Sequence, residues 1–309
     1  MTRVIGYIGA FSLLLMATAC GRAEPVYDPA AHEAEVLEWR AGRLERLLQP
    51  TGYLTQVGLF WVEEGSYTIG SGEETDIRLP DTADPYVGDI RVDGESVRLT
   101  VQDPVRVTHD GKAVTDILLP PDTSGDFVMV EHGSIGWSVI ERAGKLAIRV
   151  RDFEHPWIES FGPLPYFDIN PNWRVTATLN RYDEPRVITV DTVIEGFQQN
   201  PTSPGVATFT VDGVDYHLEA QSSGEQLFFI FGDETNRGET YGAGRYLYAD
   251  APGEDGRFTL DFNQSYSPPC AFNDFSTCPL ASPHNRLATR IEAGEKYDTA
   301  LHYSAGTGH

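Results

Sequence analysis

Positive charge is scarce in this chain. Its 23 lysines and arginines stand against 46 aspartates and glutamates, for a formal net charge of -23 over 309 residues. A surface of that sign repels a phosphate backbone, so no nucleic-acid partner is expected. Cysteine is scarcer still, with 3 in all. Cys270 and Cys278 are spaced more widely than the pairs of a zinc knuckle, which leave roughly two to four residues between ligands. The 8 histidines are scattered without helical metal spacing, and no Asp-x-Asp-x-Asp calcium loop occurs. Also missing are a nucleophile elbow, a phosphate-binding P-loop, a dinucleotide fingerprint and a His-Glu-x-x-His pair. Neither a metal nor a cofactor is expected. Long apolar runs are absent too, apart from Val4 to Met16, which is too short to span a bilayer.

That run is an address. Arg3 precedes it, and Ala17-Thr18-Ala19-Cys20 closes it with small residues before a cysteine, the pattern of a secretory leader. Its end resembles the lipobox of bacterial lipoproteins, in which the cysteine is lipidated; the alternative is an ordinary leader cut at the small residues. The expectation is an exported protein held at the bacterial cell envelope through a lipid on Cys20, its partner there being the membrane. With Cys20 so used, Cys270 and Cys278 remain as a pair in an oxidising compartment, where a disulfide is expected. The expected order is leader 1–20, tether 21–28, helix plus first all-β lobe 29–154, connection 155–172, second lobe 173–300 and tail 301–309.

The helix is signalled by Asp28 as N-cap and Pro29 at the first helical position. Leu37, Ala41, Leu44 and Leu48 share one face, widened by Leu47, and Arg40, Arg43 and Arg46 fall mostly off it. From Tyr53 the pattern changes to short alternating runs about ten residues apart, the spacing of a β-sandwich or barrel. Asp93-Gly94, Asp110-Gly111 and Ala143-Gly144 supply turns between strands. Pro156, Pro163, Pro165 and Pro171 argue against regular structure in the connection, whose aromatics suit rigid packing between two halves. Beyond it, the hairpin Val206–Val211, Asp212-Gly213, Val214–Glu219 is the plainest in the chain, and only Asn285 to Ile291 suggests another short helix. The fold class is mainly β: an N-terminal amphipathic helix, then two sandwich- or barrel-like lobes.

In the first lobe, Tyr67-Thr68-Ile69-Gly70, Asp76-Ile77-Arg78-Leu79-Pro80, Gly88 and Asp93-Gly94 resemble a forkhead-associated sandwich. The phosphate ligands of such modules are missing, since Ser71 follows Gly70 where an arginine is needed. The resemblance therefore implies shape and not activity. In the second lobe, Phe231-Gly232-Asp233-Glu234-Thr235, Thr240-Tyr241, Gly244-Arg245-Tyr246-Leu247 and Leu260-Asp261-Phe262-Asn263 occur in order. Pro268-Pro269-Cys270-Ala271-Phe272, Cys278-Pro279-Leu280, Asn285-Arg286-Leu287 and Ala293-Gly294-Glu295-Lys296 complete the series. Together with Trp39-Arg40 and Gly58-Leu59-Phe60-Trp61-Val62, these resemble the bacterial domain of unknown function 1684 family, which implies an envelope protein and no established activity.

Polar residues threaded this densely through apolar sequence form either a satisfied network or a site, because each unpaired buried group costs roughly 1–3 kcal/mol. The candidate ligand-binding residues are Asp233, Thr235, Tyr241, Arg245, Asp261, Asn263, Asn285, Glu295 and Lys296. As a pocket they would hold a small molecule or glycan, or let the protein act as a scaffold. As a hydrolase, Asp233, Asp261 or Glu295 would serve as acid and base, with Lys296 or Arg245 holding an anion. As a network, Arg245 would pair with Asp233 or Asp261, and Asn263 and Asn285 would cap backbone groups.

Overall fold

The computed structural model describes residues 27–304. The leader and Cys20 lie outside the described residues. The first helix, α1 (Pro29–Leu48), starts where Asp28 accepts from the backbone N–H of Ala30 and Ala31. Its buried stripe, however, is His32, Val36, Arg43 and Leu47. Leu37 is 51% exposed and Leu48 42%. The surface receiving the helix explains the difference. It offers the carboxylates of Asp261 and Glu295 and the carbonyl of Ser267, so basic side chains bury there more favourably than leucines.

The first lobe contains β1 (Gln56–Val62), β2 (Gly65–Gly70), β3 (Ile77–Arg78), β4 (Gly88–Asp93), β5 (Ser96–Val101) and β6 (Val107–His109). It continues with β7 (Lys112–Val114), β8 (Asp116–Leu118), β9 (Met129–His132), β10 (Ile135–Arg142) and β11 (Lys145–Asp152). They form a six-stranded sheet, β1-β11-β10-β9-β6-β7, and a five-stranded sheet, β3-β2-β4-β5-β8. Ile69, Ile90 and Leu99 of one sheet and Trp137, Ile148 and Val150 of the other share one core, which makes the lobe a sandwich. The tight turn β10–β11 places Ala143 at φ 51° and Gly144 at φ 74°, as a two-residue hairpin requires.

The connection is more regular than its prolines suggested. α2 (Pro156–Ser160) begins with Pro156 at the first helical position, and the N–H of Trp157 donates to Nδ1 of His155 at 3.2 Å. At that position proline loses no helical hydrogen bond. The second lobe follows with β12 (Arg174–Val187), β13 (Val190–Asp191), β14 (Gln198–Gln199), β15 (Thr202–Val211) and β16 (Val214–Glu219). It ends with β17 (Gln221–Ser223), β18 (Gln226–Phe231), β19 (Arg245–Asp250) and β20 (Arg257–Asp261). The sheets are β16-β15-β12-β20, β17-β18-β19 and the pair β13-β14. Phe209, Phe229, Phe231, Leu247, Leu260 and Phe262 build the second core. Asn285 to Ile291 is not a helix. Only Pro283–Asn285 makes a single 3-10 turn, because the Asn285 side chain binds backbone of β16 and β18 and holds the chain extended beside them.

The helix was grouped with the first lobe by sequence order, yet its buried polar bonds run to the second. Leu47, Leu54, Leu164, Ala271 and Phe272 form a third apolar cluster where helix, connection and second lobe meet. Cys270 and Cys278 are joined by a disulfide with a Cα–Cα distance of 6.2 Å.

Candidate functional site

Most of the residues singled out in the sequence are anchors. Gly244 turns at φ +115°, where a Cβ would meet the Phe231 carbonyl oxygen at 2.6 Å; only glycine delivers the chain into β19 here. Arg245 follows, fully buried, and its Nη2 donates to Asp233 Oδ2 at 2.7 Å and to the Ile291 carbonyl at 2.9 Å. Its Nη1 donates to the Ala293 carbonyl. Burial pulls this guanidinium below its ordinary pKa, against the opposing pull of Asp233 and Glu295. Asp233 also caps a 3-10 turn, accepting from the N–H of Thr235 at 2.8 Å, and the Thr235 hydroxyl pairs with that of Thr240.

Glu295 is the second anchor. Its side chain is fully buried, with Arg43 Nε at 3.3 Å on Oε2 and the Ser267 N–H at 3.2 Å on Oε1. Burial pushes its carboxyl above the usual range, although Arg43 and Ser267 draw it down. Arg43 also donates to the Ser267 carbonyl at 2.9 Å. The preceding Gly294 sits at φ +81°, and a Cβ would lie 2.6 Å from the Ser265 carbonyl oxygen.

The third anchor joins α1 to the end of β20. His32 Nε2 lies 2.6 Å from Asp261 Oδ2 and the Tyr27 hydroxyl lies 2.9 Å from Nδ1. A carboxylate only accepts, so in the neutral imidazole Nε2 donates and Nδ1 accepts from Tyr27. Asp261 Oδ1 accepts from the N–H and the amide of Asn263, whose side chain in turn bonds both backbone groups of Asn170. Asn285 does the same for the N–H and carbonyl of Glu219. Lys296 stands apart, its Nζ 5.0 Å from the Phe167 ring centroid, and Tyr241 packs edge-on to Tyr297 at 5.2 Å. Most of the expected cluster is thus a set of fixings that hold residues 261–296 against sheet and helix.

Beside these fixings lies a cleft of about 730 Å³, a volume suited to a small organic ligand. One wall is a flank of α1 at the margin of its buried stripe, with Glu35, Trp39, Arg43 and Arg46 at helical spacing. The other comprises Gln226, Tyr248, Asp250, Thr259, Asp261, Gln264 and Tyr266, with Arg174 and Tyr53 at its edges. On β19, Leu247 and Ala249 face the core, which turns Tyr248 and Asp250 outward into the cleft. Trp39 and Tyr266 lie 6.1 Å apart, and Tyr266 and Tyr248 stack at 6.4 Å and 12°. The Arg43 guanidinium sits 4.5 Å from the Tyr266 centroid. Arg46 is exposed on the rim without an ion-pair partner among the described residues. Of the nine expected ligand residues, Asp261 alone lines this cleft. Sequence reading counted His32 among scattered histidines without metal spacing and placed Arg43 mostly off the buried face. The adjacent Trp39-Arg40 was the one signal that pointed here. Among the described residues no three His, Cys, Asp or Glu side chains are grouped to hold a metal ion.

A family described as "Protein of unknown function (DUF1684)" matches residues 159–296, the stretch that supplies one wall of the cleft and all three anchors on the second lobe. The solution NMR structure of an uncharacterized protein of Haloarcula marismortui is 33% identical over 45% of this chain and 79% of its own, with a TM-score of 0.39. The FhaA FHA domain, crystallised with the intracellular domain of Rv3910, is 23% identical over 30% of this chain and 97% of its own, with a TM-score of 0.21. An FHA domain from a study of phosphothreonine-dependent interactions is 24% identical over 31% and 96%, also at 0.21. No curated protein matches the chain.

Proposed function

We propose a binding role for this chain, which belongs to the family of unknown function DUF1684 and takes no established activity from that membership. In this reading it is an exported protein, lipid-anchored at Cys20 in the bacterial envelope, that captures a ring-bearing small molecule between α1 and the second lobe. A glycan fragment is the first candidate. The observation that carries the reading is the row Trp39–Tyr266–Tyr248 in a cleft of about 730 Å³. Part-exposed aromatic faces accept the apolar face of a sugar or an aromatic ring. The amides of Gln226 and Gln264 and the guanidinium of Arg46 lie around them for hydroxyl or acidic substituents.

The hydrolase alternative draws less support from the geometry. Asp233 and Glu295, two of its three candidate carboxylates, have fully buried side chains paired with arginines. The third, Asp261, is taken by His32 and Asn263.

Titrating a panel of glycan fragments and ring-bearing metabolites against intrinsic fluorescence tests the proposal. At least one member should give a saturable change, and Trp39→Ala should weaken that ligand about tenfold or more while leaving the unliganded Tm in place. A panel without any saturable response, or unchanged affinity in Trp39→Ala, sinks the reading. Anchoring is tested separately: Cys20→Ala should move the protein from the membrane fraction to the soluble one.

A further inference from the structure

Four arginines are buried among the described residues: Arg43, Arg149, Arg151 and Arg245. Three of them have acceptors, although the Nε of Arg151 and that of Arg245 bond to nothing among the described residues. Arg43 holds Glu295, Arg245 holds Asp233, and Arg151 donates to the Gly52 carbonyl and, at 2.9 Å, to the Thr55 hydroxyl. Arg149 differs. It is only 8% exposed, its Nε is enclosed without an acceptor, and no side chain or carbonyl among the described residues pairs with it.

Its place in the sheet shows what surrounds it. In β11, Ile148 and Val150 face the sandwich core, so Arg149 and Arg151 point to the opposite face. Arg149 stands directly across from Ser138 of β10, and cross-strand partners share a face. Ser138 is 3% exposed and its hydroxyl also has no partner among the described residues. Arg142 and Arg151 are close enough to depress the Arg149 pKa further, after burial, to about 9; Asp122 and Tyr53 act in the other sense. Asp122 is already held by Arg142 Nη2 at 2.7 Å. Arg142 and Arg149 therefore share one carboxylate, which is committed to Arg142, and Arg151 adds a further positive charge beside Arg149. The face lies at the junction of the lobes, where the Ser276 hydroxyl donates to Gln56 Oε1 at 2.8 Å and Trp61 packs on Phe197 at 4.7 Å.

We propose that this face is a binding site for a small, multiply charged oxyanion of phosphate or sulfate type, received by Arg149 and Ser138 and flanked by Arg142 and Arg151. Two adjacent side-chain donors without protein acceptors are what an oxyanion satisfies, and a guanidinium fork fits its paired oxygens. The excess positive charge on the face supplies the attraction that the rest of this acidic surface withholds. The site is distinct from the aromatic cleft, and its test is independent of the cleft's ligand.

Thermal unfolding in inorganic phosphate, against sodium chloride at matched ionic strength, provides that test. Wild type should gain about 3 °C at roughly ten times Kd. Arg149→Met should show no phosphate-specific gain, and without phosphate it should melt above wild type, because the unpaired buried charge is gone. Ser138→Ala should bind more weakly. A wild-type response equal to that in chloride, or an equal phosphate gain in Arg149→Met, overturns the proposal. Should Arg149→Met fail to fold, anomalous diffraction from wild-type crystals soaked in selenate decides. A peak bonded to Arg149 upholds the site, and a peak elsewhere or none refutes it.

Discussion

Arg43→Met isolates the bond that seats α1. In the folded protein Glu295 has no exposed side-chain surface, and its oxygens are held by Arg43 and Ser267. Methionine keeps the bulk and removes the charge, stranding a carboxylate and the Ser267 carbonyl. Removing one partner of a buried ion pair costs about 3–5 kcal/mol, and that loss is expected near pH 8. It should shrink toward pH 5. Burial already holds the Glu295 pKa above its unfolded value, and Arg43 is what draws it down, so in the variant it rises further. A carboxyl whose folded pKa is raised binds more protons folded than unfolded. Its contribution to stability is full below the unfolded pKa and is lost as pH rises through the folded one, at up to about 1.4 kcal/mol per unit. Urea unfolding of wild type and variant at about pH 5 and about pH 8 measures both effects, with Glu295→Gln and the double variant completing a cycle. A loss under about 1 kcal/mol at pH 8, or an equal loss at both values, would refute a buried, charge-dependent seat.

Gly294→Ala should cost at least about 2 kcal/mol, since it combines a positive φ with a Cβ driven into the Ser265 backbone; a urea midpoint within error of wild type would deny that tight approach. Protein purified from its exported location without reductant should be lighter by two hydrogens than the fully reduced chain. Cys270→Ser should lose about 2.5 kcal/mol by closing no loop in the unfolded state, and free thiols in native protein would contradict the pairing.

How far the chain can be read without coordinates depends on whether the signal is local. Asp28 and Pro29 announce the helix start because capping is decided within four residues. Asp110-Gly111, Ala143-Gly144 and Asp212-Gly213 mark their hairpins because each takes up positive φ. The buried face of α1 could not be read this way. Leucine periodicity assumes an apolar partner, and the partner surface is built from Asp261, Ser267 and Glu295, more than two hundred residues downstream. The motif-dense stretch was correctly seen as polar and organised, but density does not distinguish a cavity from a clamp. The cleft takes Trp39 from the helix, Tyr248 from β19 and Tyr266 from a loop, and no spacing rule links three such positions.

His32 and Asp261 are separated by 229 positions, and Arg43 and Glu295 by 252. A chain that emerges amino end first must therefore carry α1 without these partners until residues 261–295 have been made. Contacts of such wide sequence separation favour slower folding, and a product cut short before Glu295 lacks the carboxylate on which Arg43 seats α1.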